Sequence, residues 1–324
     1  MIEVAKISPM TTDVTRATLR IAVIVPCRNE ALTIAKVITD FRRELPAAEI
    51  WVCDNRSTDE TAASARTAGA HVIGEDRPGK GHAVRRLFAA ANADIYVLVD
   101  GDATYDPKSV HRMVDCLQSD KLDMVIGRRV TTPAEKDSAY RRGHQLGNRS
   151  FATAISKLFG YQLEDVFSGY RVFSRRFVRS FPALSTGFEI ETEFSVHALD
   201  LALPIREIDC PYGARPDGSS SKLNTYRDGT RIALMLIYLF EQVRPALFFG
   251  LLGGLIAVVS LALGIPVVIE FMHTGLVPRL PTAVLASALM LLAVLTGACG
   301  IILDSVGRGR KEAKRLAYLA AASE

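Results

Sequence analysis

Short apolar runs alternate with longer amphipathic stretches along the first 130 residues of the chain. The runs are rich in β-branched residues and have the length of buried strands, whereas the stretches between them have helical spacing. The predicted strands are IAVIVP (21–26), EIWVC (49–53), HVI (71–73), DIYVLV (94–99) and DMVIG (123–127). Strands that alternate with helices in this way indicate an α/β fold with a Rossmann-like, mostly parallel sheet and helices on both faces.

Two further segments are apolar throughout. No charged residue occurs in the 25 positions between Arg244 and Glu270 or in the 24 positions between Arg279 and Asp304. Each segment exceeds the ~20 residues that cross a bilayer core, so they predict two transmembrane helices rather than a pair of buried core helices.

The charges beside these segments predict their orientation. The tail after Asp304 carries five basic residues, whereas the short loop between the segments carries Arg279 and His273. By the positive-inside rule, the tail and the large N-terminal part both face the cytoplasm. The start of the chain lacks the apolar stretch of a signal peptide. We therefore expect a membrane protein with two spans and a cytoplasmic α/β domain.

These patterns divide the chain into five parts. They are an N-terminal extension (1–20), the cytoplasmic α/β domain (21–224), a juxtamembrane helix (225–244), the two transmembrane helices (245–304) and a basic cytoplasmic tail (305–324). The formal charge of +4 is too small to indicate nucleic acid as a partner, and no basic stripe alternates with aromatic residues. The five cysteines are scattered, as expected of reduced thiols.

Two carboxylates follow the fourth predicted strand, in the sequence Asp100-Gly101-Asp102. In a sheet of this type ligands bind beyond the carboxyl ends of the strands, where Pro26 and Asp54 also fall. Carboxylates so close together repel one another unless a cation or a donor-rich ligand lies among them. Their hard oxygens suit Mg²⁺ or Mn²⁺, which complete their shells with water and substrate phosphates. The sequence therefore predicts a metal site that holds a diphosphate.

A competing phosphate motif follows the third predicted strand. Residues 74–80 fit the first seven positions of a P-loop, which would indicate an NTPase. The eighth position is Gly81, where a Ser or Thr hydroxyl should hold Mg²⁺. Gly79 and Gly81 are better explained as positions where the backbone approaches a nucleotide closely.

The motifs around these residues resemble a known family. The stretches VIVPCRNEALTI (23–34), CDNRSTDETAASARTAGA (53–70) and GKGHAVRRLFAAANADIYVLVDGDATYDP (79–107) resemble the nucleotide-sugar-binding domain of family 2 glycosyltransferases, which have the GT-A fold. DVFSGYRVFSRR (165–176) and RPDGSSSKL (215–223), followed by two spans, resemble polyprenyl-phosphate hexosyltransferases of the dolichyl-phosphate mannose synthase type. The resemblance implies inverting transfer of a hexose from UDP-glucose or GDP-mannose to a polyprenyl phosphate.

The resemblance also implies a set of site residues. Nucleotide-sugar binding is expected of Pro26, Arg28, Glu30, Asp54, Lys80, Asp100, Gly101 and Asp102, with Asp100 and Asp102 as the ligands of Mg²⁺ or Mn²⁺. Phosphate or acceptor binding is expected of Arg128, Arg141, Arg171, Arg215, Ser221 and Lys222. Asp102 and Asp165 are the expected catalytic residues. A phosphate monoester is already an anion at pH 7, so Asp165 serves either as a base or as a positioning group.

Some alternatives remain open at this stage. For Arg128, Arg129, Arg141 and Arg142, contact with the lipid phosphate competes with attraction to anionic headgroups. The family often has Asp-Asp-Gly-Ser where this chain has Asp54-Asn55-Arg56-Ser57, so the nucleotide base is undecided. Of three alternating glutamates, Glu191 alone is a site candidate.

Two other classes of protein share features with this sequence. A non-catalytic membrane-anchored scaffold is the alternative to an enzyme. A processive synthase is disfavoured, because the Gln-x-x-Arg-Trp motif of such enzymes is absent and the single tryptophan, Trp51, lies in an early strand. The run Gly250, Gly253, Gly254 permits close helix contact, and a homo-oligomer is compatible with it.

Overall fold

The structure is a computed structural model that describes residues 19–130, 153, 159–161, 163–185, 187, 189–213 and 237–321. The strands are β1 (Ile21–Cys27), β2 (Glu49–Asp54), β3 (His71–Gly74), β4 (Ile95–Leu98), β5 (Met124–Val130), β6 (Arg171–Ser174) and β7 (Ile205–Pro211). The helices are α1 (Ile34–Glu44), α2 (Thr61–Thr67), α3 (Lys80–Ala90), α4 (Ser109–Ser119), α5 (Arg175–Ser180), α6 (Ile190–Asp200), α7 (Pro245–Thr274) and α8 (Leu280–Ala321).

The seven strands form one sheet in the order β3-β2-β1-β4-β6-β5-β7. All pairs are parallel except those of β6, which runs antiparallel to β4 and β5. The predicted α/β class with a mostly parallel sheet is confirmed. Because β5 and β4 point the same way, the carboxyl ends of β1, β2, β4 and β5 lie at one edge of the sheet.

Each face of the sheet is covered by an apolar core, because successive side chains of a strand point to opposite faces. In β1, Ile24 belongs to one core and Val23 and Val25 to the other. Helices α1 and α4 contribute to the second core, and α3, α5 and α6 contribute to the first. Strands buried on both faces must be apolar throughout, which explains the continuous runs in the sequence.

The two C-terminal helices are candidate membrane spans by length and composition. Helix α7 has 30 residues and α8 has 42, and the most apolar window of each is mostly exposed in the structure. Buried residues at seven-residue spacing, most of them small, bring the helices together: Gly253, Ser260 and Val267 in α7, and Ala286, Ala293 and Gly300 in α8. The hydroxyl of Ser260 donates to the carbonyl of Ala286 at 2.7 Å. The pair is therefore a closely packed antiparallel hairpin.

The segments beside the hairpin are helical where they are described. Residues 237–243 form a helical turn, and the basic tail continues helix α8 without a break as far as Ala321. The first part of the predicted juxtamembrane helix, 225–236, lies outside the described residues.

Candidate active site

Predicted nucleotide-sugar residues from three strands come together at the carboxyl edge of the sheet. Pro26 pairs with Cys53 and Cys27 with Asp54 at the ends of β1 and β2, and Asp100 lies two residues beyond the end of β4. The carboxyl edge of adjacent parallel strands is where this fold class binds ligands.

The acidic turn after β4 is held by short contacts. Asp102 is only 3% exposed, and its Oδ1 accepts hydrogen bonds from the backbone N and the hydroxyl of Thr104, the latter at 2.6 Å. The carbonyl of Gly101 accepts from the Thr33 hydroxyl at 2.6 Å. A Cβ on Gly169 would lie 2.5 Å from Asp100 Oδ2, so glycine is required where the backbone passes this carboxylate. The turn fixes two carboxylates at the floor of the site.

The donor set of this turn fits a divalent ion that brings other ligands with it. Among the described residues, no group of three or more His, Cys, Asp or Glu side chains could hold a metal alone. Asp100 and Asp102 supply hard carboxylate oxygens, and Mg²⁺ and Mn²⁺ accept one or two of these together with water and phosphate oxygens. The protein side of the site is thus suited to a metal that arrives with a diphosphate.

Lys80 connects this turn to helix α6. Its Nζ lies 2.5 Å from Asp100 Oδ1 and 2.5 Å from Glu191 Oε1. Burial by itself would lower the pKa of Lys80, but Asp100 and Glu191 together raise it above its usual value. Burial raises the pKa of Glu191, and Lys80 offsets part of that effect. A buried and a partly exposed carboxylate therefore share one buried cation.

One oxygen of Glu191 has no hydrogen-bond partner among the described residues. Glu191 is 4% exposed, and its Oε2 atom is buried and unbonded. A buried polar atom without a partner is costly, and such atoms are frequently completed by a ligand. The sequence singled out Glu191 among its neighbours but gave no sign of the contact with Lys80, which comes from a distant helix.

One of the two residues that depart from the family pattern has a structural role. Asn55 is 3% exposed, and its Nδ2 donates to the carbonyls of Glu75 and Arg77 at 3.1 and 2.7 Å. Its Oδ1 accepts from the backbone N of Gly79 at 2.7 Å. Asn55 thus ties down the loop that leads into α3 and Lys80. The Gly79 N–H is bonded to Asn55, and Lys80 is paired with Asp100 and Glu191. This geometry argues against a P-loop, in which both groups would bind phosphate.

The loops after β1 and β2 are joined to each other. The N–H of Asn29 donates to the Ser57 hydroxyl at 2.9 Å, and the N–H of Glu30 donates to the Thr61 hydroxyl at 2.8 Å. Asp54 Oδ1 accepts from the N–H of Ser57 at 3.1 Å. These bonds hold Glu30 and Asp54 on neighbouring loops of one rim.

Asp165 is buried and ion-paired. It is 3% exposed, and both of its oxygens accept from the guanidinium of Arg129, at 2.7 and 2.8 Å. Burial alone would raise the pKa of Asp165, but Arg129 holds it below its usual value. The Arg129 guanidinium also lies 5.6 Å from the centre of the Tyr212 ring. Arg129 thus occupies both oxygens of this carboxylate, which fixes the orientation of Arg129 at the end of β5.

The remaining predicted residues have different outcomes. Arg171 is fully buried, and its guanidinium donates to the carbonyls of Ser168 and Val166 and to the Ser195 hydroxyl. It braces the chain before β6, so its prediction as a phosphate ligand is wrong. Arg128 is bound to Asp209 at 2.5 Å and to Glu164 at the exposed rim. Arg141, Arg215, Ser221 and Lys222 lie outside the described residues.

A mixed sheet of this order, with an acidic pair beyond its central strand, fits a glycosyltransferase of the GT-A fold. The model of the family described as Glycosyl transferase family 2 matches residues 22–181, and the chain belongs to that family.

Relatives that align with most of the chain support this assignment. Glycosyltransferase AglJ of Haloferax volcanii is 34% identical over 92% of this chain and 98% of its own length. Dolichyl-phosphate hexose transferase of the same organism is 29% identical over 69% of this chain and 96% of its own. A structure of glucosyl-3-phosphoglycerate synthase from Mycobacterium tuberculosis superposes with a TM-score of 0.55 and 25% identity, covering 70% of this chain and 81% of that one. Another structure of that enzyme contains Mn²⁺ and UDP-glucose.

Proposed function

We propose that this chain is a polyprenyl-phosphate hexosyltransferase. It moves a hexose from a nucleotide sugar to a polyprenyl phosphate at the cytoplasmic face of a membrane, with inversion at the anomeric carbon. The observation that carries the proposal is that one chain combines a diphosphate-type acidic site with two exposed apolar helices long enough to span a bilayer. The similarity to a dolichyl-phosphate hexose transferase supports a lipid acceptor.

Asp100, Asp102, Lys80 and Glu191 form the donor side of the site. Asp100 and Asp102 would hold Mg²⁺ or Mn²⁺, which would neutralise charge on the diphosphate as it leaves. Lys80 keeps Asp100 and Glu191 close together although both are acidic. The unbonded Oε2 of Glu191 would accept a hydrogen bond from a hydroxyl of the hexose.

Arg129 and Asp165 form the acceptor side. A phosphate monoester is already a competent anion at pH 7, so it needs placement and charge neutralisation more than a strong base. The planar guanidinium of Arg129 suits phosphate oxygens, and Asp165 restricts its orientation. Asp165 is therefore proposed as a positioning residue for the acceptor rather than as the base.

The orientation follows from the basic residues of the tail. Arg308, Arg310, Lys311, Lys314 and Arg315 all follow the second apolar segment, and cytoplasmic flanks carry such an excess. The α/β domain precedes the first apolar segment, so after two crossings it lies on the same side as this tail.

The test is a transfer assay with membranes that contain the full chain. They are incubated with Mn²⁺, a polyprenyl phosphate and radiolabelled UDP-glucose or GDP-mannose in parallel, and label is extracted into organic solvent. We expect label from one of the donors, at least tenfold less label with Asp102→Asn, and unchanged label with Asp115→Asn, an exposed carboxylate on α4. No lipid label from a broad panel of donors, together with no nucleotide binding, would support a non-catalytic scaffold instead.

A further inference from the structure

Helix α8 presents one continuous face along its whole length. In its apolar half the buried residues are Ala286, Ala293 and Gly300, and they face α7. The same seven-residue register continues beyond Leu303, where Asp304, Gly307, Lys314, Tyr318 and Ala321 are less exposed than their neighbours. A sustained seven-residue repeat keeps a single face of a helix toward its partners. The face that packs in the hairpin is thus also the face that meets the α/β domain.

The contact with the α/β domain is centred on a buried carboxylate. Asp123 is fully buried, and its Oδ2 accepts from the Tyr318 hydroxyl at 2.8 Å while its Oδ1 accepts from Arg176 at 2.5 Å. The Arg176 guanidinium lies 5.2 Å from the centre of the Tyr318 ring. Lys311 and Lys314 lie 3.4 and 4.0 Å from the carboxylate of Asp200. The partly exposed lysine pairs attract Asp200 only weakly, but glutamates in their place would repel it, and an unpaired oxygen on buried Asp123 would be costly.

This contact lies at the edge of the sheet opposite the active site. Asp123 directly precedes β5, and Asp200 ends helix α6, whose first turn carries Glu191. The helix from Leu303 to Tyr318 spans about 22 Å at 1.5 Å per residue. Because that helix is unbroken, the height and the rotation of the domain relative to the apolar hairpin are both set by its register.

We infer that the tail part of α8, residues 304–321, is a positioning arm that presents the active site to the lipid acceptor. Its positioning residues are Tyr318, Lys311 and Lys314, which act through Asp123 and Asp200. The inference rests on the proposed function, because a lipid acceptor keeps its phosphate at the level of the headgroups. A domain on a flexible linker would sample many heights and rotations, and holding two reactants in one geometry is a large part of catalysis. The arm would matter for an acceptor held in a bilayer and not for one free in solution.

The experiment compares two acceptors with the full chain. The first is a long-chain polyprenyl phosphate in lipid vesicles, and the second is a short-chain, water-soluble prenyl phosphate with the enzyme in detergent. The variants are Tyr318→Ala and the double change Lys311→Glu with Lys314→Glu, and Tyr318→Phe removes only the hydroxyl. The matched control is Arg310→Glu with Arg315→Glu, which alters the charge equally at exposed positions of the same helix.

We expect Tyr318→Ala and the lysine double variant to lose at least about tenfold in kcat/KM for the vesicle-bound acceptor, with most of the effect in the KM for lipid. With the soluble acceptor, the kcat/KM of both variants stays within about twofold of that of the natural chain. The arginine control stays within the same range with either acceptor. Tyr318→Phe loses less than Tyr318→Ala because its ring can still contact Arg176. A further variant, with one alanine inserted after Val306, turns the rest of the helix by about 100° and has the same selective loss.

Two results would overturn the inference, and both differ from the result that would overturn the proposed function. A positioning role would be excluded if the Tyr318→Ala and insertion variants glycosylated the vesicle-bound acceptor as fast as the natural chain does. It would also be excluded if these variants lost activity equally with both acceptors, because such a loss indicates damage to the fold. If the natural chain glycosylates neither acceptor, the proposed function itself fails.

Discussion

The side chains of the site are arranged to hold charges in place rather than to exchange protons. Lys80 lies between two carboxylates, and Asp165 binds Arg129 through both oxygens. The sequence could indicate the acidic turn and Glu191, because carboxylates at strand ends and helix starts are visible as motifs. It could not indicate that Arg171 is buried, since an arginine in the interior depends on carbonyls that only the fold brings within reach.

Replacing Asp165 tests its role at this scale. Asp165→Asn keeps the shape but removes the charge that orients Arg129, so the KM for the acceptor should rise about tenfold while donor binding stays unchanged. The pKa of Asp165 is lowered in the fold, so its ionic contribution is present above its unfolded pKa and is lost as the pH falls through the folded value, below about 3.8. The rate profile from pH 5 to 8 should therefore have no inflection that the variant abolishes. Such an inflection would identify Asp165 as the base.

The unbonded oxygen of Glu191 leads to a second prediction. Glu191→Gln weakens the acceptor atom that we assign to a hexose hydroxyl, so the Kd of the nucleotide sugar should rise by about tenfold or more. Affinity for the nucleoside diphosphate alone should stay within about twofold, because that ligand has no hexose. Calorimetric titration of both ligands measures the difference, with the exposed neighbour Glu189→Gln as control. Equal losses for both ligands would contradict the assignment.

At the scale of the elements, the loops beyond the strands are coupled by a few buried polar side chains. The sequence predicted strands β1 to β5 well because apolar periodicity reports burial directly. It did not predict β6 as a strand, and the antiparallel direction of β6 depends on the path between elements and not on the composition of a short run. Nor did it reveal Asn55 as the brace of the loop before α3, because a single asparagine has no periodic signal.

Exchanging Asn55 for the family's more usual residue should be harmful in this chain. Asn55→Asp loses the two hydrogen bonds donated to Glu75 and Arg77 and places a carboxylate beside their carbonyls. The free energy of unfolding should fall by about 2 kcal/mol, and donor affinity should fall with it because Lys80 begins the adjoining helix. Denaturant unfolding of the full chain in detergent measures this, with exposed Asn92→Asp as the matched change. A variant as stable as the natural chain would show that the loop holds without Asn55.

At the scale of the whole molecule, an enzyme domain and an apolar hairpin are connected through helix α8. The two apolar segments were evident from hydropathy alone. The unbroken helix and its contact with Asp123 were not, because Tyr318 meets that carboxylate only once the fold places residues far apart in sequence together. Of the glycines that the sequence offered for helix contact, Gly253 packs within the chain's own hairpin, whereas Gly250 and Gly254 have open space beside them.

The hairpin can be tested with a pair of neighbouring glycines. A Cβ on Gly253 would lie 2.9 Å from the carbonyl oxygen of Ala293, whereas one on Gly254 meets nothing within 4 Å. Gly253→Ile should therefore separate the helices and lower the melting temperature in detergent by about 4 °C or more, since overpacking costs ~1–3 kcal/mol. Gly254→Ile should melt within about 1 °C of the natural chain. Equal effects of the two changes would contradict this packing, and a loss of oligomer with Gly254→Ile would indicate that the open face binds a second copy.

The most direct test of the central claim is to identify the product. The purified full chain is incubated with Mn²⁺, a polyprenyl phosphate and the nucleotide sugar that labels lipid, and the products are measured by mass spectrometry and by released nucleoside diphosphate. We predict one hexosyl phosphodiester of the lipid for each nucleoside diphosphate released, with the anomeric configuration inverted relative to the donor. Release of nucleoside diphosphate without a glycosylated lipid, or hexose on an acceptor other than the lipid phosphate, would contradict the account.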